Sequence, residues 1–200
     1  ITSPSGFKYY LLLVDDYSRY SWLFPLKAKF DAYSTFVVFK QYVENLLGNN
    51  IKVVHSDSGG EFIGAMFQSF LHAHSIVHQL TCPHTLEQNG CAERKHIHIV
   101  ETARTLLVAS NIPHLYWVEA LSTAVYLINR LPISGLSKSP WELLFFKPPD
   151  YSRLKVFGCR CFPWLKPYTH SKLDAKSKSC VFLGYSLQHK DYRCLDPITS

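Results

Sequence analysis

Two carboxylates stand where chemistry could be done. Asp57 follows the short apolar run Ile51–His55 (IKVVH), which predicts a buried strand, and precedes Ser58-Gly59-Gly60. The glycine pair lets backbone approach closely. By itself Asp57 is better explained as the start of a turn or a cap for a helix at Glu61. Glu93 lies in the first turn of a helix predicted over Cys91–Val108, just after Asn89-Gly90. By itself it complements the helix dipole. Together they say more. Thirty-five residues, 58 to 92, separate them. A strand-end Asp and a helix-start Glu can converge on one edge of a sheet, where like charges repel unless a cation lies between them. Hard oxygen donors select Mg²⁺ or Mn²⁺. A pair of such ions ~3.5–4 Å apart serves in-line displacement at phosphorus.

The elements that must position these groups follow from periodicity. Tyr9–Val14 and Tyr20–Leu26 predict an antiparallel hairpin closed by Asp15-Asp16-Tyr17-Ser18-Arg19. Asp31–Leu47 has helical spacing and a stop at Gly48. Glu61–His74 predicts a helix, Ser75–Leu80 a strand and 81–90 a polar loop. A second apolar helix is expected over Tyr116–Leu131, and a connector over Pro140–Ser152. The order gives a mixed α/β domain over residues 1–145. Short strand-like runs at Leu154–Phe162, Ser179–Gly184 and Tyr192–Leu195 then predict a small β-barrel or sheet over 146–200.

Composition narrows the classes. The 200 residues are 47% hydrophobic and 14% aromatic, enough to bury a core, and only 18% charged. No apolar run approaches the ~20 residues of a membrane span, so no membrane partner is expected. The sequence opens without a signal peptide or initiator Met, which suggests a fragment of a longer protein. Six cysteines do not make a disulfide scaffold. His72/His74 and His96/His98 are two apart, about 200° around a helix, so neither pair chelates one ion. Cys159 and Cys161 lack a second motif at metal spacing. Residues 1–150 hold equal numbers of acidic and basic side chains, so the whole net charge of +6 lies in residues 151–200. A local basic excess points to a polyanion, or to a solvated basic face.

The wording around the carboxylates is specific. Val54–Phe62 (VHSDSGGEF) and Pro83–Arg94 (PHTLEQNGCAER) resemble the second and third acidic motifs of retroviral-type integrases. Val14–Arg19 (VDDYSR), Tyr126–Pro132 (YLINRLP) and Val156–Cys159 (VFGC) are similar to copia-type LTR-retrotransposon polyproteins of plants. The resemblance covers nearly the whole chain. It implies an RNase H-like integrase core, a mixed sheet flanked by helices, followed by a small SH3-like β-barrel. It also implies metal-dependent phosphoryl transfer on DNA, 3′-processing and then strand transfer, with Mg²⁺ or Mn²⁺ held by Asp57 and Glu93. Partners would be the element ends, target duplex and other integrase protomers. Action would be nuclear, after a cytoplasmic particle stage.

In that family the acidic triad is Asp-Asp-Glu. Asp57 and Glu93 match its second and third members, and the first lies on a strand expected upstream of Ile1. Asp15 and Asp16 match a turn of the family instead, so this fragment is expected to be incomplete as an enzyme. Asn89 and Gly90 would shape a mobile loop over the DNA end. Arg94, Lys95 and Arg104 would follow phosphates, joined by Lys155, Arg160, Lys166 and Lys172 of the tail. Leu86, Glu87 and Cys91 depart from the family's usual loop, and Ile97 stands where a basic residue is common. The alternative is a non-catalytic nucleic-acid-binding remnant. The tail aromatics Phe157, Phe162, Trp164, Tyr168, Phe182, Tyr185 and Tyr192 are expected to be mostly core at strand spacing, with a minority, interleaved with these cations, left to flank or stack on nucleic acid.

Overall fold

The computed structural model describes residues 1–57, 59–80, 90–133, 137–165, 173, 175–186 and 191–197. Lys166, Lys172, Glu87 and Asn89 lie outside them. Strands β1 (Tyr9–Val14) and β2 (Ser21–Leu26) form the expected hairpin, with Leu11 opposite Phe24 and Val14 opposite Ser21. The Asp15 carboxylate closes its turn by accepting the N–H and hydroxyl of Ser18, at 2.8 and 2.6 Å. Helix α1 (Asp31–Leu47) buries Ala32, Phe36, Phe39 and Val43 at helical spacing. It stops where Gly48 turns left-handed, with φ 67°, and its N–H closes on the Glu44 carbonyl.

Strands β3 (Val53–Ser56) and β4 (Val77–Leu80) are parallel. Between them run α2 (Gly60–Ile63) and α3 (Ala65–Ala73), where the sequence predicted one helix over 61–74. The chain is extended at Gly64, with ψ 143°. Gln68 spans the break by donating to the Phe62 carbonyl at 3.0 Å. Phe36, Phe39, Val43, Phe67, Leu71 and Ile76 form one buried cluster, onto which Leu13 and Trp22 of the hairpin and Val54 of β3 all pack. Both two-stranded sheets therefore rest on the same helices.

Each sheet has an unpaired edge. In the β1–β2 ladder Asp15 donates to the Tyr20 carbonyl, which by antiparallel alternation turns the backbone groups of Tyr10, Leu12 and Val14 away from β2. None of these groups has a partner among the described residues. Val77 donates to the Lys52 carbonyl, so Val53 and His55 likewise turn their backbone groups away from β4. The β1 edge opens on a groove of about 370 Å³, lined by Tyr10, Leu12, Ala32, Phe62 and His96 among others.

Helix α4 (Gly90–Ser110) leads through a 3₁₀ turn (His114–Tyr116) to α5 (Trp117–Ile128). The predicted helix ran on to Leu131, and helical hydrogen bonds do reach it, since the Leu131 N–H donates to the Leu127 carbonyl at 3.0 Å; beyond Ile128 the side chain of Asn129 makes a tertiary contact. Its Oδ1 accepts the Ser21 N–H at 2.9 Å and its Nδ2 donates to the Ser21 carbonyl at 2.8 Å. Asn129 is fully buried and in effect completes the β2 backbone pairing. Asn129→Ala leaves two buried backbone groups without partners. We expect a loss of about 2–4 kcal/mol of stability, read by urea denaturation.

The connector expected over 140–152 contains a helix, α6 (Pro140–Phe145). Ser139 and Glu142 form a reciprocal capping box and Pro140 takes the first turn. This Ser-Pro-Trp-Glu signal was present in the sequence. The α6 rings of Trp141 and Phe145 pack on Tyr20, and the Arg130 guanidinium lies 3.4 Å from the Tyr126 ring centre and 4.4 Å from that of Trp141.

The C-terminal region forms an antiparallel sheet of order β5 (Arg160–Cys161), β6 (Cys180–Tyr185) and β7 (Tyr192–Leu195). Of the strand expected over 154–162, Arg160 and Cys161 form the regular ladder, while Gly158, with φ 81°, and Cys159 bond to the Phe182 backbone out of that register. The sheet is separate from the others but its core is not. Phe157 and Leu183 share a cluster with Ile99, Ala103 and Leu107 of α4 and Ala120 and Ala124 of α5. Close approach depends on Gly184, with φ 123°, where a Cβ would sit 2.3 Å from Thr123 Oγ1. Among the described residues no helix is long and apolar enough to cross a membrane.

Candidate active site and nucleic-acid interface

Asp57 is exposed and directly follows β3. Its Oδ1 accepts the Gly59 N–H at 3.1 Å. The sequence reading missed the group beside it. A Cβ on Gly59 would lie 3.0 Å from Asp57 Oδ1 and 3.3 Å from Glu61 Oε2, so two carboxylates flank this glycine. The signal was the Asp-x-Gly-Gly-Glu spacing, which puts Glu61 in the first turn of α2 and curls it back.

A hydrogen-bonded chain fixes the end of β3. The Gln68 amide N–H₂ meets His78 Nδ1 at 2.7 Å. That nitrogen must accept, so the proton sits on Nε2, which meets Ser56 Oγ at 2.8 Å. Ser56 in turn donates to the Asp57 carbonyl at 2.9 Å. Burial holds the His78 pKa below its usual 6.5, which keeps the ring neutral as this arrangement requires. A base whose folded pKa is depressed contributes stability that is full above pH 6.5 and is lost as pH falls through the folded value. Stability should therefore drop on acidification below about pH 6.5. His78→Phe should remove that part of the dependence, measured by thermal unfolding across pH 5–8.

Glu93 lies in the first turn of α4, exposed, with no hydrogen bond or ion pair to any described residue. Gly90, expected in the loop, is instead the buried first residue of α4. Arg94 folds back over it, its Nη1 2.9 Å from where a Gly90 Cβ would stand. The helix start is tied to the hairpin turn, since Arg19 donates to Cys91 Sγ at 2.8 Å and pairs with Asp16 at 2.5 Å. Asp15 and Asp16 are thus engaged within that turn. One turn on, Tyr10 Oη and His96 Nε2 meet at 2.5 Å.

The basic residues divide. Arg94, Arg104, Lys155 and Arg160 are exposed. Lys95 departs from the expected phosphate-facing row. It is half-buried beside Cys91 and Arg19, and burial lowers its ammonium pKa. Among the described residues no three His, Cys, Asp or Glu side chains gather as an ion would need. Cys161 and Cys194 are neighbours, Sγ to Sγ 3.3 Å, with burial the main cause pushing the Cys161 thiol up to about 12.

The fold is that of an integrase core. Residues 1–85 match the integrase core domain family, and residues 159–200 match the retroviral polymerase SH3-like domain. The retrovirus-related Pol polyproteins of transposons RE2 and RE1 from Arabidopsis thaliana are each 50% identical, over 98% and 100% of this chain. That of transposon TNT 1-94 from Nicotiana tabacum is 40% identical over 99%. The chain spans only 13–15% of the length of these relatives. The HTLV-2 integrase catalytic core, solved in complex with magnesium, shares the fold at TM-score 0.50 and 24% identity. It covers 68% of this chain and 84% of its own. The simian T-cell lymphotropic virus intasome, in complex with the PP2A subunit B56 gamma, does so at TM-score 0.55 and 17% identity, over 93% of this chain and 72% of its own. The chain belongs to the Pol polyproteins of copia-type plant transposons, of which it carries the integrase core and the SH3-like region that follows.

Proposed function

We propose that this chain works on DNA in element integration, with Asp57 and Glu93 as two of the carboxylates of a divalent-metal site. Support comes from the family membership together with the placement of Asp57 at the end of β3 and of an exposed Glu93, without a partner among the described residues, at the start of α4. Mg²⁺ or Mn²⁺ suits such donors. The described residues alone do not complete a site for either ion. The remaining carboxylate comes, in this reading, from an extended segment upstream that adds to the open edge of β1 and fills the groove beside it. A backbone edge with unpaired groups accepts such a strand readily. The basic residues of the tail, with Arg94 and Arg104, hold phosphates without reading sequence. Further protomers complete the DNA complex.

The second reading is a non-catalytic nucleic-acid-binding remnant. It is favoured by the charge distribution, with all of the +6 in the last fifty residues. A strand-transfer assay on the chain with and without its upstream segment decides between them.

A further inference from the structure

The extended stretch 160–165 alternates in exposure. Arg160, Phe162 and Trp164 are exposed, while Cys161, Pro163 and Leu165 are half-buried. Alternate residues of an extended chain share a side. Phe162 is 63% exposed and Trp164 61%. Among the described residues neither ring stacks on another ring, and the Trp164 backbone is anchored by a bridge to Ser177. Two neighbouring aromatic rings held in water on ordered backbone call for a partner. The charge around them indicates which kind. Arg160 stands on the same side, and this region carries the whole basic excess of the protein. Cations that track a backbone beside rings that accept flat apolar faces are what an unpaired nucleic-acid strand requires. A duplex hides its base faces and gains nothing from the rings.

We propose that Arg160, Phe162 and Trp164 form a stacking site for unpaired bases, so that the SH3-like region takes single-stranded nucleic acid as well as duplex. The proposal rests on the reading of this chain as a DNA-binding protein and adds the strand state that the tail selects. Arg160 holds a phosphate, and bases lie on the two rings. Four tryptophans are present, and Trp22, Trp117 and Trp141 are all half-buried, so Trp164 dominates the solvent-accessible emission.

The test is a titration of the full chain with a thymidine 12-mer and with a blunt duplex of equal length, read by tryptophan quenching and by anisotropy of labelled DNA. The 12-mer should quench emission, and Trp164→Leu should weaken its binding tenfold or more while duplex affinity stays within twofold. Trp164→Phe keeps a ring and should retain most of the single-strand affinity. Both positions are exposed, and circular dichroism checks that the variants fold. If the parent chain binds the 12-mer and Phe162→Ala/Trp164→Leu binds it equally well, the stacking site is wrong while DNA binding stands. If the parent chain binds neither DNA, the underlying reading fails as well. If the double variant alters only the sedimentation of the protein, the rings form a protein interface and the proposal is overturned.

Discussion

Replacing Lys155, Arg160, Lys166 and Lys172 by alanine should flatten the salt dependence of duplex binding by up to about 3.6 in the slope of log K against log salt. Each phosphate contact contributes about 0.9 to that slope, because each releases condensed counterions. The expectation follows from where the charge lies. Residues 1–150 are neutral overall, and the entire +6 belongs to residues 151–200. Within the core, Lys95 is drawn in beside Cys91 and Arg19 and offers less to phosphate than its position on the helix suggested. The measurement is a titration of duplex binding between 50 and 200 mM salt for the parent and the quadruple variant. Over that range a slope change of 3.6 is worth about a hundredfold in relative affinity. Parallel lines would show that the tail does not touch the duplex and that the basic excess is a solvated face.

The purified chain should give no strand-transfer product in Mg²⁺ or Mn²⁺, whereas the chain extended upstream by the reading frame of the element should give it. Two carboxylates hold a divalent ion less firmly than three and leave a two-ion geometry unformed. In the extended protein, Asp57→Asn and Glu93→Gln should each lower the product by at least about 10²-fold, since even the outer partners of metal ligands are worth 10–100-fold. Product from the unextended chain would refute the argument for a missing carboxylate. Failure of the extended chain, with DNA binding intact, would favour the non-catalytic remnant.

Most elements were legible because their signals are local. Tyr9–Val14 and Asp31–Leu47 are strand and helix by period alone, and the structure places them at those bounds. Asp57 and Glu93 stood out because a strand end before two glycines and a helix start after Asn-Gly are both local patterns. Glu61 was harder to see, since its approach to Asp57 depends on how tightly the turn at Gly59 closes.

The sequence by itself determined the family, most of the elements and the concentration of positive charge in the tail. Each of these is written in neighbouring residues or in a simple count. Only the tertiary structure decided what the Asn129 side chain does at the end of α5, where it pairs with the Ser21 backbone 108 residues away. Only the tertiary structure ties His78 to Asp57 through Ser56, across two parallel strands brought into register by the helices between them. It alone laid the C-terminal sheet on α5, where Gly184 meets Thr123. Such contacts join residues far apart in the chain, and their free energy comes from burial and from pairing polar groups that have no partner until the chain closes.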